Sequence, residues 1–229
     1  YKEQKINLKH GMNVTKINAS AQTVMLSSGE QLEFDKLVLA TGAVPRSLPP
    51  TDGLSNVYVL RQPDDAIAIR NTARSVKSAV IIGGGYIGLE VAASLRQMGL
   101  EVSVIEMADR LLARVASPPV AKLLNDLHAE HGVSVYTGVS VDKITNSNGQ
   151  FSGVTLADGT VLSGDMLIVG IGVIPDSELA RQAGIETERH DGGAILVNTS
   201  MQTSDPNIIA MGDVALQRGH SLRIESVHN

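Results

Sequence analysis

The sequence predicts an α/β protein made of two interleaved units of one design, on three observations. The core must be aliphatic and the elements short; one set of apolar, glycine and proline positions recurs at a constant offset; and a glycine-rich turn stands between a strand and a helix. The chain has 229 residues, 43% hydrophobic and 19% charged, ordinary values for a protein that buries a sizeable core. Aromatic residues are only 3% while glycines number 22, so Val, Ile, Leu and Ala must fill the interior and tight turns must join the elements.

The same composition narrows the partners. A net charge of -5 argues against nucleic acid or an anionic membrane as the main partner and favours small ligands. The longest uncharged apolar run, residues 166–174, is far short of the roughly 20 residues that a transmembrane helix needs. The first residues also lack a signal-like core, so a cytoplasmic protein is expected. With no cysteine, this stretch can form neither a disulfide, a thiolate metal site nor a CxxC pair, and redox chemistry would reside in a bound cofactor. His128 and His131 flank Glu130, but no further converging ligands accompany them, so no metal is expected.

Taken in order, the first element is the repeat. Val24, Leu26, Gly29, Leu32, Asp35, Leu37, Gly42 and Pro45 recur as Val154, Leu156, Gly159, Leu162, Asp165, Leu167, Gly172 and Pro175, all shifted by 130 positions. Each copy reads as a β-meander: an alternating strand, a turn at Ser28-Gly29 or Asp158-Gly159, a second strand, then a fully apolar strand. The apolar strands, residues 37–40 and 166–169, should be buried on both faces, as in a parallel sheet.

Ahead of the second copy, residues 77–82 form a strand, Gly83-Gly84-Gly85-Tyr86-Ile87-Gly88 follows, and a helix runs to about Met98. Ile87, Val91, Leu95 and Met98 supply its expected buried stripe, Gly99 ends it, and residues 102–105 form the next strand. A matching glycine motif for the first copy would precede residue 1, so the chain is expected to begin inside a domain.

A Gly-x-Gly-x-x-Gly turn is informative only in context, and here a strand precedes it, a helix follows and an acidic residue ends the next strand. Gly83 permits the turn, Gly85 leaves room for a pyrophosphate, and Gly88 lets helix and strand pack closely. The phosphates would meet the N–H groups of Tyr86, Ile87 and Gly88 and the positive end of the helix dipole. Glu106, eighteen residues beyond Gly88, can accept hydrogen bonds from a ribose, so the dinucleotide is expected to be NAD. The plainer reading of Glu106 is a solvated strand end. Arg110 and Arg114 could hold a 2′-phosphate, yet the nearby carboxylate would repel it. Glu90 reads either as a helix-favouring surface residue or as a carboxylate near the nicotinamide.

Ala40-Thr41-Gly42-Ala43-Val44-Pro45-Arg46, the glycine run, Arg114-Val115-Ala116-Ser117-Pro118-Pro119, Val169-Gly170-Ile171-Gly172-Val173-Ile174-Pro175 and Met211-Gly212-Asp213 together resemble one family. It is the FAD-dependent pyridine nucleotide reductases, in the ferredoxin and rubredoxin reductase branch that serves bacterial oxygenases. Ala116 to Pro119 and Arg223-Ile224-Glu225-Ser226-Val227-His228-Asn229 are the narrower signals for that branch. The resemblance implies two interleaved Rossmann-like dinucleotide-binding domains, one for FAD and one for NAD, each with a β-meander. It implies cofactor contacts from Thr41, Gly42, Arg46, Arg61, Arg114, Gly170, Ile171 and Gly172. Gly212 and Asp213 would meet the ribityl chain and Val227 the flavin ring. Arg61 and Gly212-Asp213 also admit plain readings, a surface residue and an ordinary turn.

The resemblance further implies an FAD-binding part over residues 1–75 including the crossing segment, an NAD-binding domain over 76–195, and a return to the FAD domain over 196–229. It departs from the family in lacking the first glycine motif and a C-terminal domain, and residues 213–223 look a few residues short. The expected activity is an NADH-dependent FAD flavoprotein passing electrons to an iron–sulfur ferredoxin or rubredoxin. The alternative is a disulfide, peroxide or oxygen reductase of the same superfamily, its cysteine upstream of Tyr1. Arg70, Arg74 and Lys77 suit either docking of an acidic ferredoxin or a solvated helix face.

Overall fold

The computed structural model describes residues 2–189 and 192–219. In chain order the strands are β1 (Val14–Asn18), β2 (Thr23–Leu26), β3 (Gln31–Glu33), β4 (Leu37–Leu39), β5 (Ala43–Pro45), β6 (Val57–Tyr58), β7 (Ser78–Ile82), β8 (Glu101–Glu106), β9 (Val133–Thr137), β10 (Val141–Ser147), β11 (Gln150–Leu156), β12 (Val161–Ser163), β13 (Met166–Val169), β14 (Val173–Pro175), β15 (Ile195–Val197), β16 (Ile208–Ala210) and β17 (Ala215–Gln217). The α-helices are α1 (Pro63–Ala73), α2 (Tyr86–Gln97), α3 (Pro118–Glu130) and α4 (Glu178–Gln182).

The chain divides into two compact units, one from residues 1–44 with 174–229 and one from residues 45–173. These units part the chain elsewhere than the expected boundaries near 75 and 195. Residues 45–75 belong to the second unit, because β6 pairs with β13 and α1 buries Ile69 and Ala73 among the residues of α2 and β8. Residues 174–195 belong to the first, because Ala180, Ile185 and Ile195 share a core with Ile17, Leu39 and Ile208.

The second unit is built on a parallel sheet in the order β6-β13-β7-β8-β9. Helices α1, α2 and α3 make the crossovers, as parallel pairing requires. Its interior strand β13 is buried throughout, as apolar residues on both faces predict. The buried side of α2 runs through Gly88, Leu89, Val91, Ala92 and Leu95. Ile87 and Met98, expected in that stripe, are 41% and 42% exposed. The buried face is rotated because Gly88, which has no side chain to count as apolar, is the residue pressed against the strand.

The repeat holds down to single hydrogen bonds. Strands β1-β2-β3 and β10-β11-β12 form two antiparallel meanders, with Val24 opposite Leu32 in one and Val154 opposite Leu162 in the other. The Leu26 N–H donates to the Glu30 carbonyl at 2.8 Å and the Gly29 N–H to the Leu26 carbonyl at 2.9 Å. The Leu156 N–H and Gly159 N–H repeat this to Thr160 and Leu156, again at 2.8 and 2.9 Å. Each meander even carries a register shift at the same place in its first strand, between Val14 and Lys16 and between Val141 and Lys143. The apolar strands differ, however. Among the described residues β4 pairs only with β16, and Val38 is 48% exposed, so burial on both faces fails for the first copy.

Asp165 locks β13 to β7. Its Oδ2 accepts from the Lys77 N–H (2.9 Å), the Ser78 N–H (3.0 Å) and the Ser78 hydroxyl (2.9 Å). The Lys77 amide foremost, with the Ser78 groups adding to it, holds its carboxyl below the usual range against an opposing effect of burial. Stability from this lowered carboxyl is present above its unfolded pKa of about 3.9 and is lost as pH falls through the folded value. Asp165→Asn should therefore lower the melting temperature at pH 7 and flatten the decline between about pH 5 and pH 3. Thermal unfolding at a series of pH values checks this; an unchanged acid slope would refute it.

Candidate functional site

The site is built where β7 ends. Parallel strands present their carboxyl ends to one edge, and ligands of such sheets bind there. Gly83 leaves β7 at φ 116, and a Cβ there would stand 2.2 Å from the Gly170 carbonyl oxygen. A Cβ on Gly88 would stand 2.0 Å from the Gly83 carbonyl oxygen, so α2 starts directly against the turn. Gly85 is the opposite case. It is the N-cap of α2 with extended φ of -83, and no heavy atom lies within 4 Å of a Cβ placed on it. Two glycines are thus required by packing, and the third opens a space in front of the free N–H groups of a helix start.

Glu106, at the end of β8, closes one side of that space. Its Oε2 accepts from the Gly84 N–H at 2.7 Å and its Oε1 from the Ala108 N–H at 2.8 Å. The carboxylate is therefore fixed beside the loop with lone pairs left for further donors. The Leu112 N–H donates to the Gly84 carbonyl at 3.0 Å, and Leu111 is 1% exposed. Leu111 and Leu112 were missed as supports of the site; their only signal was an apolar pair in a polar loop. Arg110 is turned back into the same loop, donating from Nη2 to the Ala113 carbonyl at 2.8 Å and from Nη1 to Asp109 Oδ1 at 3.3 Å.

Gly170 lies against the turn, its N–H donating to the Ile82 carbonyl at 2.8 Å. Ile171 and Gly172 continue from it, and the Gly172 carbonyl accepts from the Arg46 N–H at 2.9 Å. Tyr86, Ile87 and Glu90 form the exposed side of the first turns of α2. The second unit thus brings together Gly83, Gly85, Tyr86, Ile87, Gly88, Glu90, Glu106, Gly170, Ile171 and Gly172 around one strand edge. Arg61 stands in the same unit, its backbone N–H donating to Asp65 Oδ2 at 2.8 Å at the start of α1.

In the first unit, the Thr41 hydroxyl donates to the Asp176 carbonyl at 2.5 Å, and the Asp176 N–H donates to the Gly42 carbonyl at 2.9 Å. After β16, Gly212 at φ 72 has open space where a Cβ would stand and begins a short 3-10 turn, in which Asp213 follows it. Val227 lies outside the described residues, as does the run from Arg223 to Asn229. A cleft of ≈ 340 Å³ between α2 and α3 lies away from these groups, and its charged residue Arg96 is spent on the carbonyls of His131 (3.0 Å) and Leu100.

A parallel sheet, a glycine turn fused to a helix start and a fixed carboxylate on the next strand define a Rossmann-like dinucleotide-binding unit. The chain belongs to the pyridine nucleotide-disulphide oxidoreductase family, whose model matches residues 2–229. It is 44% identical to putidaredoxin reductase of Pseudomonas putida over all of this chain and 56% of that protein. It is 36% identical to the rubredoxin-NAD(+) reductase of Pseudomonas putida, over 100% of this chain and 60% of that protein. A solved ferredoxin reductase for the CYP199A2 system of Rhodopseudomonas palustris superposes with a TM-score of 0.93 at 38% identity, over 100% of this chain and 56% of that one. The chain therefore spans a little over half the length of these relatives.

Proposed function

We propose that this chain is the nucleotide-binding part of a cytoplasmic, NADH-dependent FAD flavoprotein that reduces an iron–sulfur ferredoxin or a rubredoxin of an oxygenase system. The observation that carries the reading is the open space at Gly85 beside the pinned carboxylate of Glu106, in a chain similar to reductases of that kind. The N–H groups of Tyr86, Ile87 and Gly88 would hold the NAD pyrophosphate, and Glu106 the adenosine ribose. Gly170, Ile171 and Gly172 would back the nicotinamide half, with Glu90 near it. The residues present also suit a flavin: Gly212 leaves room for a chain of hydroxyls to approach and Asp213 supplies an acceptor. Thr41, Gly42, Arg46, Arg61, Arg114 and Val227 would add to the cofactor contacts. When bound, FAD takes hydride from NADH and releases the electrons singly to the acceptor protein.

The test is rapid mixing of the NADH-reduced, full-length enzyme with ferredoxins and rubredoxins, beside disulfides and peroxide. Fast reoxidation by an iron–sulfur protein or rubredoxin is the expected result; fast reoxidation only by a disulfide or peroxide would overturn it. A second expectation concerns the 229-residue chain alone. Residues 83–88 are its only Gly-x-Gly-x-x-Gly sequence, so it should bind NADH yet leave gel filtration nearly colourless after incubation with FAD. A fully yellow product would refute that.

A further inference from the structure

Helix α3 packs on its own unit with one side and leaves an apolar row on another. Ala121 is buried, and Leu124 packs partly buried against the core that contains Val133. Val120, Leu123 and Leu127, by contrast, are 46%, 66% and 45% exposed. At 3.6 residues per turn these three fall within about 60° of one another, on a side that their own unit does not cover. Single exposed apolar residues are ordinary, but a row at this spacing on one helix is the pattern of a face that meets another helix. Beside Leu127 the row opens onto the ≈ 340 Å³ cleft that Ala93, Gln97 and Val133 also line.

A charged row runs alongside it. Lys122, Asp126 and Glu130 follow one another four residues apart, and Lys122 Nζ donates to Asp126 Oδ2 at 2.6 Å. The Lys122 side chain is 75% exposed and that of Asp126 49%, and an ammonium or a carboxylate has capacity for a second partner. The two rows share a centre. Val120 and Leu127 lie equally far from the point between Leu123 and Leu124; Lys122 and Asp126, like Pro118 and Glu130, lie equally far from Leu124. A twofold interface sets residue i against j and j against i, so it needs a common centre of this kind. Two antiparallel α3 helices crossing there would put Val120 against Leu127 of the second copy, Leu123 against its own counterpart, and Lys122 against Asp126 of the second copy. Glu130 would come beside Pro118 of the second copy, at the positive end of that helix. A parallel pair would instead set Lys122 against Lys122 and Glu130 against Glu130.

We propose that this face of α3, the Val120, Leu123 and Leu127 row with Lys122 and Asp126 beside it, is a self-complementary docking surface on which a second copy of the chain pairs antiparallel. Nothing in this pairing depends on which nucleotide or acceptor the chain serves. One helix on each side offers less than the roughly 800 Å² per partner of a standard interface, so a reversible dimer with a Kd of about 100 μM is expected. Sedimentation equilibrium of the full-length enzyme, at concentrations spanning that value, measures it. Leu123→Asp should weaken the dimer at least about tenfold, because it buries an unpaired charge at the twofold axis. Lys122→Asp and Asp126→Lys should each weaken it as well, since each sets like charges against one another across the axis. An equimolar mixture of the two charge variants should restore the dimer, because opposite charges then meet at both contacts. All three positions are exposed, so the melting temperatures of the variants should stay close to that of the wild type.

A wild type that stays monomeric at every concentration would overturn this pairing and leave the face to a different protein. So would a dimer whose Kd is unchanged in Leu123→Asp and in both charge variants, since its contacts would then lie elsewhere. Should Leu123→Asp unfold, the mixture decides alone, because two misfolded variants cannot restore each other's pairing. A mixture that associates no more tightly than either variant by itself would overturn the antiparallel arrangement.

Discussion

Replacing Gly85 by valine should abolish measurable NADH binding while lowering the melting temperature by no more than a few degrees. The two halves of that result come from one observation: no heavy atom lies within 4 Å of a Cβ at this position, and its φ of -83 suits any L residue. The added Cβ therefore meets nothing in the protein, and the branched side chain fills the space a pyrophosphate would take. The fold loses only the modest advantage of glycine over valine at an N-cap, about 1 kcal/mol. Gly83→Ala and Gly88→Ala should do the reverse. Contacts of 2.2 and 2.0 Å with backbone oxygens cannot be relieved by rotating a side chain, and Gly83 also sits at φ 116. Losses of several kcal/mol are expected, visible as a large fall in melting temperature before any ligand is added. Equilibrium dialysis with NADH and calorimetric unfolding of the three variants decide the matter. A Gly85→Val chain that still binds NADH tightly would remove the pyrophosphate from this loop.

Glu106→Ala should weaken NADH binding by roughly tenfold to a hundredfold and narrow, without inverting, the preference over NADPH. Losing the carboxylate strips a ribose acceptor and also frees the Gly84 and Ala108 amides, which it holds at 2.7 and 2.8 Å. A part-buried donor left unpaired costs about 1–3 kcal/mol, so the loop itself loosens. Removing the negative charge lifts its repulsion of a 2′-phosphate. Arg110 does not replace it with attraction, because its guanidinium is engaged by the Ala113 carbonyl and Asp109. Paired dissociation constants for the two nucleotides measure the effect. A wild-type chain that prefers NADPH would end the assignment.

Much of this was readable before any coordinates. The meanders announced themselves because a turn glycine and a two-residue alternation are local signals, and both copies carried them. The spacing from Gly88 singles out Glu106 in the sequence. Its hold on Gly84 and Ala108 does not show there, because backbone amides leave no mark in a sequence. Ile87 was misplaced for a related reason: a count of apolar side chains cannot see that Gly88 is the buried residue. Residues 57–58 form too short a strand to register, and its place beside β13 depends on a partner more than a hundred residues away. The approach of Arg46 and Arg114 to Gly172 is likewise a product of tertiary structure, since nothing local to either arginine reports the glycine.

The discontinuity of the first unit sets an order of events during synthesis. All five strands of the parallel sheet are in hand once Val169 has been made. Strand β4, by contrast, must wait for β16, and Lys36 must wait for Asn207, its side-chain partner 171 residues later. At about 5–20 residues per second that delay is roughly ten to thirty seconds. Over the last part of that time, from Val169 to Ile208, the parallel sheet has all its strands while β4 still lacks β16. Ribosome pausing between residues 170 and 208 would prolong this interval, whereas chaperone capture of residues 37–39 would protect β4 until its partner arrives.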